Sequence, residues 1–147
     1  MGVDDAPRIF HLLQKILFID FGKIKMVNAV HSSSMPDGSY GGNPAGFVIK
    51  NSEKTLYYAG DTALTKDMEL IGEEFEIDFA IMPIGDNFTM GLPDALKACK
   101  MVKTSKLIGV HFDTFPYIEI DHDASKKEAK DQGIELILPQ IEQIIAL

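Results

Sequence analysis

Three apolar runs in this chain each end on a side chain that can bind a metal ion. VNAVHSSS ends on His31, YYAGDT on Asp61 and LIGVHF on His111. Imidazole and carboxylate together suit zinc, manganese or iron. Read singly, each residue has a plainer role. His31 could be a surface or core histidine after a strand, and Asp61 an Asx-turn or the cap of the next helix. Three such residues at strand ends are more specific than any one, because open α/β sheets build their sites beyond the carboxyl ends of their strands. Gly60 lets the chain turn sharply before Asp61. The loop GDNFTMG follows a further strand end, where Asp86 and Asn87 can orient a histidine from behind. The plainer reading of that loop is a glycine-bounded turn.

Other reactive side chains carry less. His11 falls on an amphipathic N-terminal stretch and His122 among acidic residues, so both read as surface histidines. Cys99 sits inside the helical pattern ALKACKMV, where a small buried apolar role is the default. Ser32, Ser33 and Ser34 follow His31 directly, yet sequence neighbours rarely form a Ser–His nucleophile pair, and no G-x-S-x-G elbow is present.

The elements that must position these residues follow from periodicity. Ile9, Leu12, Leu13 and Ile16 recur at helical spacing, which predicts a helix over 6–17 with Asp5 as cap. KIKMVNAV reads as a strand running into His31, and the polar loop SSSMPDGSYGGNP follows. AGFVIK and TLYYAG are separated by Asn51–Lys54 and predict a hairpin. A helix is expected near 66–75, then the apolar strand DFAIMPI, a helix over PDALKACKMVK and the strand KLIGVHF. ASKKEAKDQ predicts a helix ending at Gly133, and IELILP a last strand. From residue 55 onward strands and helices alternate, which is α/β organisation.

The 147 residues suit one domain, and 46% are apolar, enough to bury a core. A net charge of −8 argues against a nucleic-acid backbone or an anionic membrane as the main partner. No apolar run reaches membrane-spanning length, and MGVDDAPRIF lacks the basic start of a secretory signal. The single cysteine rules out an internal disulfide and fits a reducing, cytoplasmic setting.

The same motifs, in order and rough spacing, resemble the metallo-β-lactamase superfamily, and within it a group of uncharacterised metal-dependent hydrolases. VHSSSMPDGSYGGNPAGFVI is similar to that group's histidine-bearing loop and YYAGDT to its strand ending in a bridging aspartate. MPIGDNFTMG is similar to its next strand and loop, and LIGVHFDTFP to its last ligand strand. The resemblance runs from about Phe21 to about Leu138. It implies His31 as ligand of one metal, Asp61 as bridge and catalytic centre, and His111 as ligand of the other.

The family's upstream H-x-H-x-D-H motif has no counterpart before His31, where only His11 occurs. That motif supplies four of seven ligands and the groups that position water. The expectation is therefore the C-terminal half of an αββα sandwich. One mixed sheet with flanking helices over 21–147 would follow a divergent helical segment over 1–20. In the isolated chain the three residues would hold one weakly bound divalent ion, zinc or manganese, or none. Activity would need ligands from a partner chain. Apolar residues at successive strand positions call for cover on both sheet faces, so a homo-oligomer, most simply a dimer, is expected.

Overall fold

The computed structural model describes residues 16–146. They form one seven-stranded sheet in which strand order follows chain order. The first strand, β1 (Ile16–Ile19), turns at Asp20–Phe21 into β2 (Gly22–Asn28), and Leu17 pairs with Ile24. β2 runs antiparallel to β3 (Ala45–Lys50), and β3 to β4 (Thr55–Tyr58). The Asn51 side chain closes the β3–β4 hairpin by accepting from the Glu53 and Lys54 amides. From β4 onward the pairing is parallel, to β5 (Phe79–Pro83), β6 (Lys106–Val110) and β7 (Glu135–Ile137).

Parallel neighbours need crossovers, and helices supply them. α1 (Asp67–Glu74) joins β4 to β5, α2 (Leu92–Met101) joins β5 to β6, and α3 (His122–Asp131) joins β6 to β7. α2 opens with Pro93 in its first turn, where the missing N–H costs nothing. α3 starts earlier than the pattern ASKKEAKDQ suggests, because Asp121 caps it by accepting from Ala124 N at 2.9 Å.

The helix expected over 6–17 is not what Ile16 and Leu17 adopt. Both lie in β1, held there by the hairpin with Lys25 and Ile24. Residues 6–15 and the Ile9–Leu12–Leu13 stripe lie outside the described residues. Backbone pairing across the tight Asp20–Phe21 turn outweighs a helical spacing that Ile16 only terminates.

All three helices pack on one face of the sheet. Val48, Tyr57, Ala80 and Leu107 lie in register across β3 to β6. They share a single core cluster with Met68 and Ile71 of α1, Leu96 and Cys99 of α2 and Ala129 of α3. The opposite face carries two apolar rows. One runs Met26, Phe47, Tyr58, Ile81, Ile108, Ile137, each residue registered against the next. The other runs Leu17, Ile24, Ile49, Leu56, Phe79. None of these belongs to the helix-covered cluster. On this face Met26, Phe79 and Ile108 are buried, while Tyr58 and Leu17 remain 41% and 40% exposed. No described helix is long and apolar enough to cross a membrane.

Candidate active site

The carboxyl ends of β4, β5 and β6 converge at one edge of the sheet, and the loop after β2 joins them. Gly60 makes the turn after β4 with φ +65°, and a Cβ there would stand 2.7 Å from the Ala45 carbonyl oxygen. Only glycine meets both conditions comfortably. Asp61 follows on the surface. Thr62, fully buried, then ties three loops together. Its hydroxyl accepts from Val30 N at 2.9 Å and donates to the Ala63 carbonyl, and its own carbonyl accepts from Met90 N at 3.0 Å. Ala63 N donates back to Val30 O at 2.9 Å. His31 and Asp61 are thereby held by the same threonine, one residue away on each side.

His111 directly follows β6 and takes a left-handed backbone, φ 55°. Its carbonyl oxygen would lie 2.2 Å from a Cβ on residue 85, so Gly85 is what lets the two strand ends approach. Asp86 at φ 62°, Asn87 at φ 54° and Asp113 at φ 60° share this conformation around the same edge. Left-handed backbone in residues other than glycine costs about 1 kcal/mol or more each, and such residues cluster at functional sites.

His31, Asp61, Asn87 and His111 line one open concavity of about 520 Å³. Val30, Phe88 and Phe115 supply its apolar side. His111 Nε2 stands 3.7 Å from Asp61 Oδ2. The His31 ring donates from Nδ1 to the Ser32 carbonyl at 2.8 Å, which leaves its Nε2 as the lone-pair nitrogen. His111 Nδ1 is buried without a hydrogen-bond partner among the described residues.

Asn87 and Asp86 behave differently from each other. The Asn87 amide donates to the Tyr117 carbonyl and so joins the loop after β5 to the loop after β6. The Asp86 carboxyl packs on Gly91 instead, and among the described residues no hydrogen bond links it to a histidine. His122, expected as a plain surface histidine, pairs with Asp113 and stacks edge-on to Phe112 with ring centroids 5.7 Å apart. Burial pushes the Asp113 carboxyl up, but the hydrogen bonds from His122 and from Ile120 N, with the His122 charge, outweigh it and hold the group below the usual carboxylate value. The acidic run around His122 hid this pair, because its partner lies across a loop.

The residues can be tested against a metal ion on their own geometry. With metal–ligand bonds of about 2.0–2.1 Å, two atoms at that His111–Asp61 separation can touch the same ion. The orphaned His111 Nδ1 also marks a ring whose surroundings are unfinished. Yet among the described residues no group of three histidine, cysteine or carboxylate side chains could hold an ion. The pair is one edge of a coordination sphere, too little to retain a metal, and no reaction step through one follows from these residues.

Comparison with known proteins shows the family of the chain. A family profile described as a beta-lactamase superfamily domain matches residues 8–112. The chain belongs to that superfamily. The match begins well before Phe21, so the likeness extends into the segment that the motifs alone leave out. A UPF0173 metal-dependent hydrolase of Christiangramia forsetii is 55% identical over 128 residues, 87% of this chain and 57% of the relative. A second, from Flavobacterium johnsoniae, is 56% identical over the same shares. Among solved structures, the metallo hydrolase Igni18 of Ignicoccus hospitalis superposes with a TM-score of 0.76 at 30% identity, covering 87% of this chain and 55% of that one. The chain spans a little over half the length of the curated relatives it matches. The expected superfamily and its mixed sheet with flanking helices are thus met.

Proposed function

We propose that this chain is a hydrolase-like domain of the superfamily whose strand-end site takes part in binding a divalent metal but does not complete the centre alone. The observation that carries this reading is the approach of His111 Nε2 to Asp61 Oδ2, with His31 on the same concavity. The relatives' name, metal-dependent hydrolase, supports a metal cofactor, and the choice of a divalent ion, zinc or manganese, rests on the imidazole and carboxylate ligand types. In this reading Asp61 and His111 share one ion, His31 becomes a ligand only in a centre completed by further groups, Asp61 is the group nearest the chemistry, and Asn87 braces the loop that follows His111. The Asp86 carboxyl, beside Gly91, makes no hydrogen bond to a histidine among the described residues, so a supporting role for it behind a ligand rests on the resemblance alone.

The isolated chain would then bind one ion weakly and turn over substrate poorly, because a metal-activated water needs a held metal and groups to position it. Ligands from a partner chain would restore hydrolysis. The acidic net charge favours a small-molecule substrate over nucleic acid, and a single buried thiol suits a cytoplasmic setting.

The domain is also proposed to self-associate, because two apolar rows on the face opposite the helices have no cover from any described helix. Zinc titration of the purified chain by calorimetry tests the site. The expected result is at most one weak site per chain that weakens further in His111→Ala. Two tight sites, or uptake indifferent to both Asp61→Asn and His111→Ala, would overturn the reading.

A further inference from the structure

We infer that Phe88 and Phe115 form a fixed apolar wall for the concavity, and that its ligand is a small molecule with a flat apolar ring beside its polar reacting group. The inference rests on the reading that His31, Asp61 and His111 mark the reacting end. Phe88 and Phe115 are 56% and 41% exposed, yet they face each other with ring centroids 5.9 Å apart and planes tilted by 45°. Isolated exposed phenylalanines need no explanation. A pair lining the same concavity as three candidate ligands does.

The rings stand outward because their loops are built to hold them there. Phe88 follows two left-handed residues, Asp86 and Asn87, in a loop closed by the Gly85–Gly91 bridge. Phe115 rides a loop closed by Asp113, which donates its N–H to the Ile118 carbonyl at 2.9 Å and accepts from Ile120 N at 3.0 Å. The Asn87 amide on the Tyr117 carbonyl then locks one loop to the other. Two loops on different crossovers would not be cross-tied in this way merely to leave rings in water. A preformed gap between aromatic faces and a polar floor suits a ligand that stacks at one end and hydrogen-bonds at the other.

Ligand-observed saturation-transfer NMR on the full chain tests this, with benzamide as probe and acetamide as its ring-free control. Benzamide should bind through its ring protons, and acetamide about fivefold more weakly or not at all. The double variant Phe88→Ala/Phe115→Ala should weaken benzamide by about fivefold and leave the zinc titration unchanged. Phe88→Tyr/Phe115→Tyr, which keeps both rings, should restore binding. Benzamide binding equal in wild type and the alanine variant, or none in wild type at millimolar probe, would overturn the wall. Loss of the alanine variant's zinc uptake would also overturn it, since the rings would then be part of the metal site's support. Because probe binding and zinc uptake are read separately, a failed metal site and a failed wall give different results.

Discussion

His111 and Asp61 meet across the end of a strand that neither belongs to. β4 and β6 are both neighbours of β5 and not of each other, yet His111 Nε2 comes within 3.7 Å of Asp61 Oδ2. The approach is made by two backbone devices, the Gly60 turn and the left-handed His111 seated against Gly85. If the pair shares an ion, losing either half should cost more than losing a brace. Removing even an orienting partner lowers metal affinity by about 10–100-fold. Asp61→Asn and His111→Ala should each fall at or beyond that range in a zinc competition assay, while Asp86→Asn should change it little.

Gly85 is the second point of test. A methyl group there would sit 2.2 Å from the His111 carbonyl oxygen and 2.9 Å from Ile118 Cβ. Neither the carbonyl nor the well-buried Ile118 can move cheaply. Gly85→Ala should destabilise the domain by about 1–3 kcal/mol, the usual cost of overpacking, and displace His111. Urea denaturation gives the first quantity and the His111 imidazole resonances the second. An unchanged midpoint with unshifted His111 signals would refute the steric account.

Thr62 holds His31 and Asp61 in one frame. Thr62→Val keeps the volume but leaves the Val30 amide without its acceptor, which should cost about 1–3 kcal/mol. Thr62→Ser keeps the hydroxyl and should recover most of that loss. Equal stability of the valine and serine variants would mean the hydroxyl is not what joins the loops.

Cys99 offers a pH dependence. Burial in α2 pushes its thiol up from 9.0 to about 12. A folded-state value raised above the unfolded one favours the protonated thiol. Its contribution is therefore complete below pH 9 and is lost as pH rises toward 12. Native protein should react negligibly with a thiol reagent at pH 8 and fully in denaturant. Cys99→Ala should blunt the alkaline fall in stability between those two pH values. Rapid labelling of the native thiol would contradict the burial.

Much of the fold was legible in the sequence, because its signals are local. The Asn51 turn, the apolar runs of β5 and β6, Pro93 at the start of α2 and Gly133 after α3 each state their own structure over a few residues. β1 was not legible. Ile16 continues a helical spacing, and only pairing with β2 reveals it as strand. The candidate site was legible as residue types at strand ends but not as distances, since Asp61 and His111 owe their separation to the Gly60 turn and to Gly85, which lets the two strand ends approach. The Asp113–His122 pair and the Phe88–Phe115 wall were invisible for the same reason. Each joins two loops whose meeting is decided by the sheet.

The face opposite the helices carries the last prediction. Met26, Phe47, Tyr58, Ile81, Ile108 and Ile137 form one unbroken apolar row across six strands. A sheet face of this kind is normally covered. Apolar burial contributes roughly 25 cal/mol per Å², so a patch of about 800 Å² on each chain would give on the order of 20 kcal/mol per chain before association costs. Closed two-fold pairing of identical faces is the simplest cover. Ile81 lies mid-row, and Ile81→Lys should convert a dimer at micromolar concentration into monomer without unfolding it. Phe18→Glu alters β1 on the helix side of the sheet, through the register Phe18–Lys23, and should leave the dimer intact. Sedimentation equilibrium reads both. If wild type sediments as a 16.3 kDa monomer, the face is covered from within the chain. If Phe18→Glu alone dissociates the dimer, association runs through the exposed β1 edge rather than the face.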